Sequence, residues 1–412
     1  MNETVFTVEA TPIVYGPGAA QEAGFHVSRL GVRRALIVTD PHVASLGIAQ
    51  QVRESLGESD IATEVFDQAR VEPNESSASQ VIERAREGGF DGFVGVGGGS
   101  SIDSAKIAAL FATHGGELLD YVNKPIGRAM QPPGPLLPLA AVPTTAGTGS
   151  EATSVAILDF PELGVKTGIS HRSLRPRVGI VDPLLLRELP GAVAASTGLD
   201  VVCHAVESYT ARAYTTREQS APDERPPYQG ANPVADLWSS RAIEIGGKYL
   251  RRAVADPEDL EARGQMMLAA TLAGIGFGSA GVHVPHACAY PIASLKHAWT
   301  PAGYPTSHPY VPHGFSVTVT APAGLRLTQE AAPDRHRRAA RLLTQDATDD
   351  LPAAFRSLME DVEAPTTLTE LGYGADDIDQ LVDGALKQER LLVVAPCDVS
   401  EGDLRRVFEE SL

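Results

Sequence analysis

Short apolar, β-branched runs alternate with helix-spaced segments through the first half of the chain. "ALIVTD" (35–40), "DGFVGVGGG" (91–99) and "PLAAVPTT" (138–145) each end in polar or glycine positions, the way a strand gives over to a turn. Segments 77–87 and 102–113 carry the spacing of helices. Strands that are apolar at nearly every position, with helices between them, predict a parallel sheet covered on both faces. Past residue 183 the pattern changes. "DPLLLRELPGAVAASTGLDVVCHAVESYTA" (182–211) is helical in spacing, punctuated by Pro190 and Gly191, and Ala- and Leu-rich helical patterns continue over 236–255, 258–273 and on to the C-terminus. The expected architecture is an α/β domain over 1–185 followed by an all-α domain over 186–412. A proline-rich, charged stretch at 215–233 reads as a long loop inside the helical half, and loops of that length are often functional.

Composition narrows the classes. With 412 residues, 43% hydrophobic and 21% charged, the chain can bury a sizeable core. A formal charge of −18 repels nucleic acid and anionic membranes, so neither is an expected partner. Cys203, Cys288 and Cys397 are odd in number and lack C-x-x-C spacing, which fits a reducing compartment rather than a disulfide framework. The opening "MNETVFTVEATPIVYG" has neither a basic, apolar leader pattern nor a transit-peptide pattern, and no run is long enough to span a bilayer. The expected location is the cytoplasm.

Two polar loops then stand out. "VGVGGGSSIDSAK" puts Gly97, Gly98 and Gly99 after a strand, with Ser100, Ser101 and Asp103 opening a helix. Backbone N–H groups at a helix start, unobstructed by Cβ atoms, make a phosphate pocket; a plain strand-to-helix turn is the simpler reading. "PTTAGTGSEAT" (143–153) follows another strand and offers Thr144, Thr145, Thr148 and Ser150 beside Gly147 and Gly149. Two such loops at strand ends point to a polyphosphate ligand across the sheet edge. Asp40, at the end of "ALIVTD", suits a ribose-binding acid or an ordinary turn aspartate. It precedes the glycines, the reverse of the usual dinucleotide order.

The helical half carries a different chemistry. Asp200 and His204 are four residues apart in "TGLDVVCHAVESY", one turn apart on one helix face. They could hold a divalent ion or simply bond each other. Five histidines crowd 280–314: His283, His286, His297, His308 and His313. His286 stands at a helix or helix start, and His313 sits in the rigid frame "VPHGFS". One carboxylate and three imidazoles would suit Fe²⁺, Zn²⁺ or a similar ion with a position open for substrate, although spacing alone does not bring them together.

"GGGSSIDSAK", "PTTAGTGSEAT", "TGLDVVCHAVESY" and "VPHG", in this order, resemble the iron-containing (group III) alcohol dehydrogenase family. The resemblance runs from "VYGPGAAQEAG" to the last helices. "ERPPYQGANPVADLW" and "HPYVPHGFSV" are similar to the branch that moves hydride between hydroxyacids and oxoacids. It implies a Rossmann-like N-terminal domain and a helical C-terminal domain in a dehydroquinate synthase-like arrangement, with a cleft between them. It implies metal ligation by Asp200, His204, His286 and His313, the ion being iron before zinc or manganese. It implies NAD contacts from Asp40, Gly97, Gly98, Ser100, Asp103, Thr144, Thr145, Ser150 and Lys166. The implied substrates are 4-hydroxybutyrate-like and 2-oxoglutarate-like, with a conventional NAD-dependent alcohol dehydrogenase as the alternative and a homodimer as the assembly. Many family members place a histidine four residues after the third ligand, where this chain has Tyr290. Tyr290 is then a candidate hydroxyl donor and His283 a candidate substrate-orienting group. Carboxylate substrates call for cationic or multi-donor partners, and Arg217, Arg225, Tyr228, Gln229 and Lys296 are candidates by position.

Overall fold

The computed structural model describes residues 1–295, 299–304 and 309–412. The chain forms two compact units, Ala10–Leu189 and a helical unit made of Met1–Glu9 with Pro190–Leu412.

In the first unit the elements run β1 (Ile13–Tyr15), α1 (Ala23–Ser28), β2 (Arg34–Val38), α2 (Pro41–Ser45), α3 (Ile48–Glu58), β3 (Ala62–Phe66), α4 (Glu75–Glu87), β4 (Gly92–Gly97), α5 (Gly99–His114), α6 (Leu118–Tyr121), β5 (Leu139–Pro143), β6 (Val155–Phe160), β7 (Val165–Ser170) and β8 (Val178–Val181). Six strands make one parallel sheet in the order β1-β8-β5-β4-β2-β3. Because successive side chains leave a strand on opposite faces, Leu36 and Val38 enter one core with Val81 and Leu110, while Ala35 and Ile37 enter the other with Val52 and Val96. β4 and β5 are buried at every position, as a doubly covered sheet requires. Helix α4 starts on a capping box in which the Asn74 side chain accepts from the Ser77 N–H (3.0 Å), and its Ala78, Val81, Ile82 and Ala85 form the apolar stripe. Helix α5 is buried from Ser101 through Phe111. Register pairs Gly97 with Pro143, so the two polar loops leave the sheet side by side.

The strands expected over 35–40, 91–99 and 138–145 correspond to β2, β4 and β5. The antiparallel β6–β7 hairpin has no counterpart in the sequence expectation. Its Lys166 is buried and ion-paired with Glu72, so a core position there reads as a polar one.

The second unit contains α7 (Gly191–Thr210), α8 (Pro233–Ala255), α9 (Leu260–Ala280), α10 (Val284–Ser294), α11 (His313–Thr318), α12 (Ala321–Thr328), α13 (Pro333–Thr344), α14 (Leu351–Asp361), α15 (Ile378–Leu386), α16 (Glu389–Leu392) and α17 (Glu401–Glu409). Helix α7 starts at the Pro190–Gly191 break, and α9 is buried along most of its length. The first nine residues pack in this unit: the Glu3 N–H donates to the Arg217 carbonyl (2.8 Å), and the Thr7 N–H donates to Gln229 Oε1 (2.9 Å). No single described helix is long and apolar enough to cross a membrane.

Candidate functional site

Helix α7 stacks Asp200 and His204 one turn apart, with His204 Nδ1 3.7 Å from Asp200 Oδ1. His286, in the first turn of α10, brings Nε2 to 3.5 Å from the same oxygen. His313 opens α11 just after Pro312 and brings its Nε2 to 3.9 Å. Gly314 lets that turn approach α7, since a Cβ there would lie 2.0 Å from the Ser196 carbonyl oxygen. One atom from each of the four residues lies within 4.8 Å of the others. These separations exceed hydrogen-bond length. They match a shared ion, for ligands about 2.1 Å from a tetrahedral centre stand roughly 3.4 Å apart. Asp200 Oδ1, His204 Nδ1 and His286 Nε2 are buried without a hydrogen-bond partner among the described residues, so the donor set fits a divalent cation.

The charges are consistent with that. Burial works against ionised Asp200, yet His204, His313 and His286 around it hold its carboxyl well below the usual range. Burial pushes the His204 imidazole down to about 3, which leaves it neutral and able to coordinate. Burial also opposes charge on His286, but Glu207 and Asp200 hold its proton up to about 10. The same negative field attracts a cation. Phe277 of α9 lies flat on the His204 ring at 4.2 Å between centroids and shields that face.

Glu207 is a member of the site that the sequence reading missed. Fully buried, it accepts from the backbone N–H groups of His283 (2.8 Å) and His286 (3.3 Å) and bonds His286 Nδ1. That last bond turns His286 Nε2 toward the quartet, the usual way an outer carboxylate orients a ligating histidine. Burial opposes its charge, and His286 nonetheless brings the Glu207 carboxyl down to about 2. A signal was available: Asp200, His204 and Glu207 are spaced i, i+4, i+7 on one face. Cys203 donates to Glu207 Oε2 (3.3 Å), and burial pushes its thiol up, so it stays protonated.

Other candidates fall elsewhere. His283 is wholly buried, shares a 3.0 Å bond with Thr210 Oγ1 and is pushed down by burial to about 4. Tyr290 stacks against the His313 ring at 6.3 Å, and its hydroxyl accepts from Arg390 at 3.0 Å. Arg225 faces the buried Glu3 carboxylate at 3.7 Å, Arg217 lies in that acid's field, and Gln229 clasps Thr7, so these three tie down the first residues. Lys296, His297 and His308 lie outside the described residues.

At the ends of β4 and β5 the polar groups are tied to one another. Asp40 caps α2, its Oδ1 accepting from the N–H groups of His42 (3.1 Å) and Val43 (3.0 Å), and its Oδ2 accepts from Ser101 Oγ (3.0 Å). Gly97 has φ +147° and a Cβ there would lie 2.5 Å from Ser101 Oγ, so only glycine lets the strand end pass so close to α5. A Cβ on Gly98 would touch Thr145, and one on Gly99 would meet the Thr148 side chain at 2.6 Å; the Thr144 N–H donates to the Gly97 carbonyl (3.0 Å). The glycines thus let Ser101, Thr145 and Thr148 close in on the α5 N-terminus, whose backbone N–H groups carry no Cβ at Gly97, Gly98 and Gly99, an arrangement that suits a diphosphate. Ser100 Oγ accepts from the Glu72 N–H at 3.2 Å. Asp103 accepts from Ser150 Oγ (2.5 Å), from the Ile157 N–H (2.9 Å) and from Lys106 (3.3 Å). The wholly buried Lys106 also donates to Ser150 (2.7 Å), Thr153 (3.2 Å) and the Val155 carbonyl (2.7 Å).

Residues 10–183 match the family model for iron-containing alcohol dehydrogenase, and 228–412 match the C-terminal model of the Fe-containing alcohol dehydrogenase family. The chain belongs to the iron-containing alcohol dehydrogenase family of oxidoreductases. Among its relatives, the mitochondrial hydroxyacid-oxoacid transhydrogenase of Rattus norvegicus is 45% identical over 99% of this chain and 90% of its own length. The human protein of the same name is 43% identical over the same shares. Among solved structures, 1,3-propanediol oxidoreductase superposes with a TM-score of 0.86 at 30% identity over 99% of this chain and all of the other. Sulfoacetaldehyde reductase from Bifidobacterium kashiwanohense, in complex with NAD⁺, gives 0.82 at 27% identity over 99% of both chains.

Proposed function

We propose that this protein is a metal- and NAD-dependent hydroxyacid-oxoacid transhydrogenase, moving hydride from a 4-hydroxybutyrate-like hydroxyacid to a 2-oxoglutarate-like oxoacid. The convergence of Asp200, His204, His286 and His313 on one point carries this reading. Those four residues would hold the divalent ion, iron before zinc or manganese. When bound, the ion supplies Lewis-acid polarisation of the substrate oxygen, and NAD accepts and returns the hydride. Glu207 keeps His286 aimed, Phe277 excludes water from the His204 face, and His283 buttresses Glu207 from behind. Asp40, Gly97, Gly98, Ser100, Thr144 and Thr145 would meet NAD. Asp103, Ser150 and Lys166 are proposed NAD contacts as well, each already steadied by a protein partner.

Each turnover oxidises the hydroxyl carbon of one substrate to an aldehyde and reduces the keto carbon of the other to a secondary alcohol. The test is to mix desalted, metal-loaded protein with 4-hydroxybutyrate and 2-oxoglutarate without added NAD. The expected product is 2-hydroxyglutarate. Turnover that begins only once NAD is supplied would make the protein an ordinary dehydrogenase.

A further inference from the structure

We propose that Arg390, framed by Tyr228 and Tyr290, is the group that binds the carboxylate of the substrate held at the quartet, a role that rests on the hydroxyacid reading above. Helix α16 carries Arg390 to the flank of α10, where its Nη2 donates to the Tyr290 hydroxyl at 3.0 Å. The Tyr290 ring in turn stacks on His313, a member of the quartet, at 6.3 Å. One phenol therefore separates the guanidinium from the proposed reaction centre.

The guanidinium lacks what an arginine in so acidic a chain usually has. Asp and Glu number 52 against 34 Lys and Arg, and in the same unit Arg212, Arg251, Arg326 and Arg341 each pair with a carboxylate. Among the described residues no carboxylate pairs with Arg390; the groups acting on its charge are the two tyrosines. The undescribed residues, 296–298 and 305–308, include no Asp or Glu. A half-buried cation without an acid invites an anion from outside.

Its setting selects the kind of anion. The guanidinium lies 5.4 Å from the Tyr228 ring centroid and 5.9 Å from that of Tyr290, which fixes the fork while leaving N–H donors to spare. Tyr228 is itself held in place, since Gly281 (φ +89°) passes so close that a Cβ there would lie 3.0 Å from the tyrosine Cβ. Burial pushes the Tyr228 phenol up, so its hydroxyl stays a donor. A planar fork flanked by phenol groups matches a carboxylate, which accepts two parallel N–H bonds.

The test uses metal-loaded protein with NAD and follows nicotinamide reduction by 4-hydroxybutyrate and by neutral 1-butanol. The readout is the ratio of the two kcat/KM values. In Arg390→Leu that ratio should fall about 30- to 100-fold, mostly through the 4-hydroxybutyrate KM, as expected for a lost charge-assisted bidentate contact. Arg390→Lys should recover part of it. Arg326→Leu, which removes an exposed arginine paired with Glu410, should leave it unchanged. A ratio within about 3-fold of wild type in Arg390→Leu, where a full contact is worth at least tenfold, overturns the proposal. Should Arg390→Leu not fold, Arg390→Lys decides: no change in the ratio counts against the role. Calorimetric titration of succinate separates this inference from the reading beneath it. Wild type that oxidises 1-butanol but not 4-hydroxybutyrate refutes the hydroxyacid reading, and succinate binding lost on mutation of Arg390 would still uphold the carboxylate site. Succinate that does not bind, or binds wild type and variants alike, refutes the site itself.

Discussion

The loops after β4 and β5 and the quartet of the helical unit both gather polar side chains beside an apolar core, but they are completed differently. In the loops every charge is answered from within. Lys106 has four partners, Asp103 uses both oxygens, and Asp40 uses both as well. What such a region presents to a ligand is backbone and side chains already held in place, at a helix start where Ser101 and Thr148 pack against glycine. In the quartet, Asp200, His204 and His286 turn buried polar atoms toward one another with no bond between them. Their desolvation is costly, and a cation arriving from outside is the natural offset. The α/β loops are therefore internally satisfied, whereas the quartet holds buried donor atoms that are not.

This contrast can be broken by acting on one region and reading the other. Lys106→Met removes the counter-charge of buried Asp103 and should cost about 3–5 kcal/mol in urea unfolding, while metal content stays at the wild-type level. A wild-type midpoint would mean that the lysine does not hold the loops. Glu207→Gln keeps the shape of the side chain but weakens its grip on His286. Competition against a chelator should show metal affinity reduced about 10- to 100-fold, with NAD affinity untouched. Unaltered metal affinity would reduce Glu207 to a packing residue.

Much of the α/β unit was legible because its central strands are apolar on both faces, a pattern that polar substitutions do not interrupt. The β6–β7 hairpin was hidden by Lys166 and Thr167, buried positions that read as exposed until Glu72 is known to lie beside them. Asp200 and His204 could be paired from spacing, but only folding brings α10 and α11 to that face. Glu207 follows the same helical period, but its role rests on His283 and His286, which only the fold brings beside it. Arg217, Arg225 and Gln229 suit a carboxylate substrate by their place in the long loop 215–233. The structure gives them instead to Glu3 and Thr7, residues more than two hundred positions away in sequence. Arg390 bore no motif and gained meaning only from the ring it touches.

Elemental analysis of the purified protein after loading with Fe²⁺, run in parallel on wild type and Asp200→Ala, bears most directly on the quartet. About one ion per chain in wild type, and less than about a tenth of that in the variant, is the expected result for a site whose only carboxylate ligand has been removed. Wild type that retains no divalent ion, or a variant that keeps its full complement, would contradict the assignment of these four residues as the metal site.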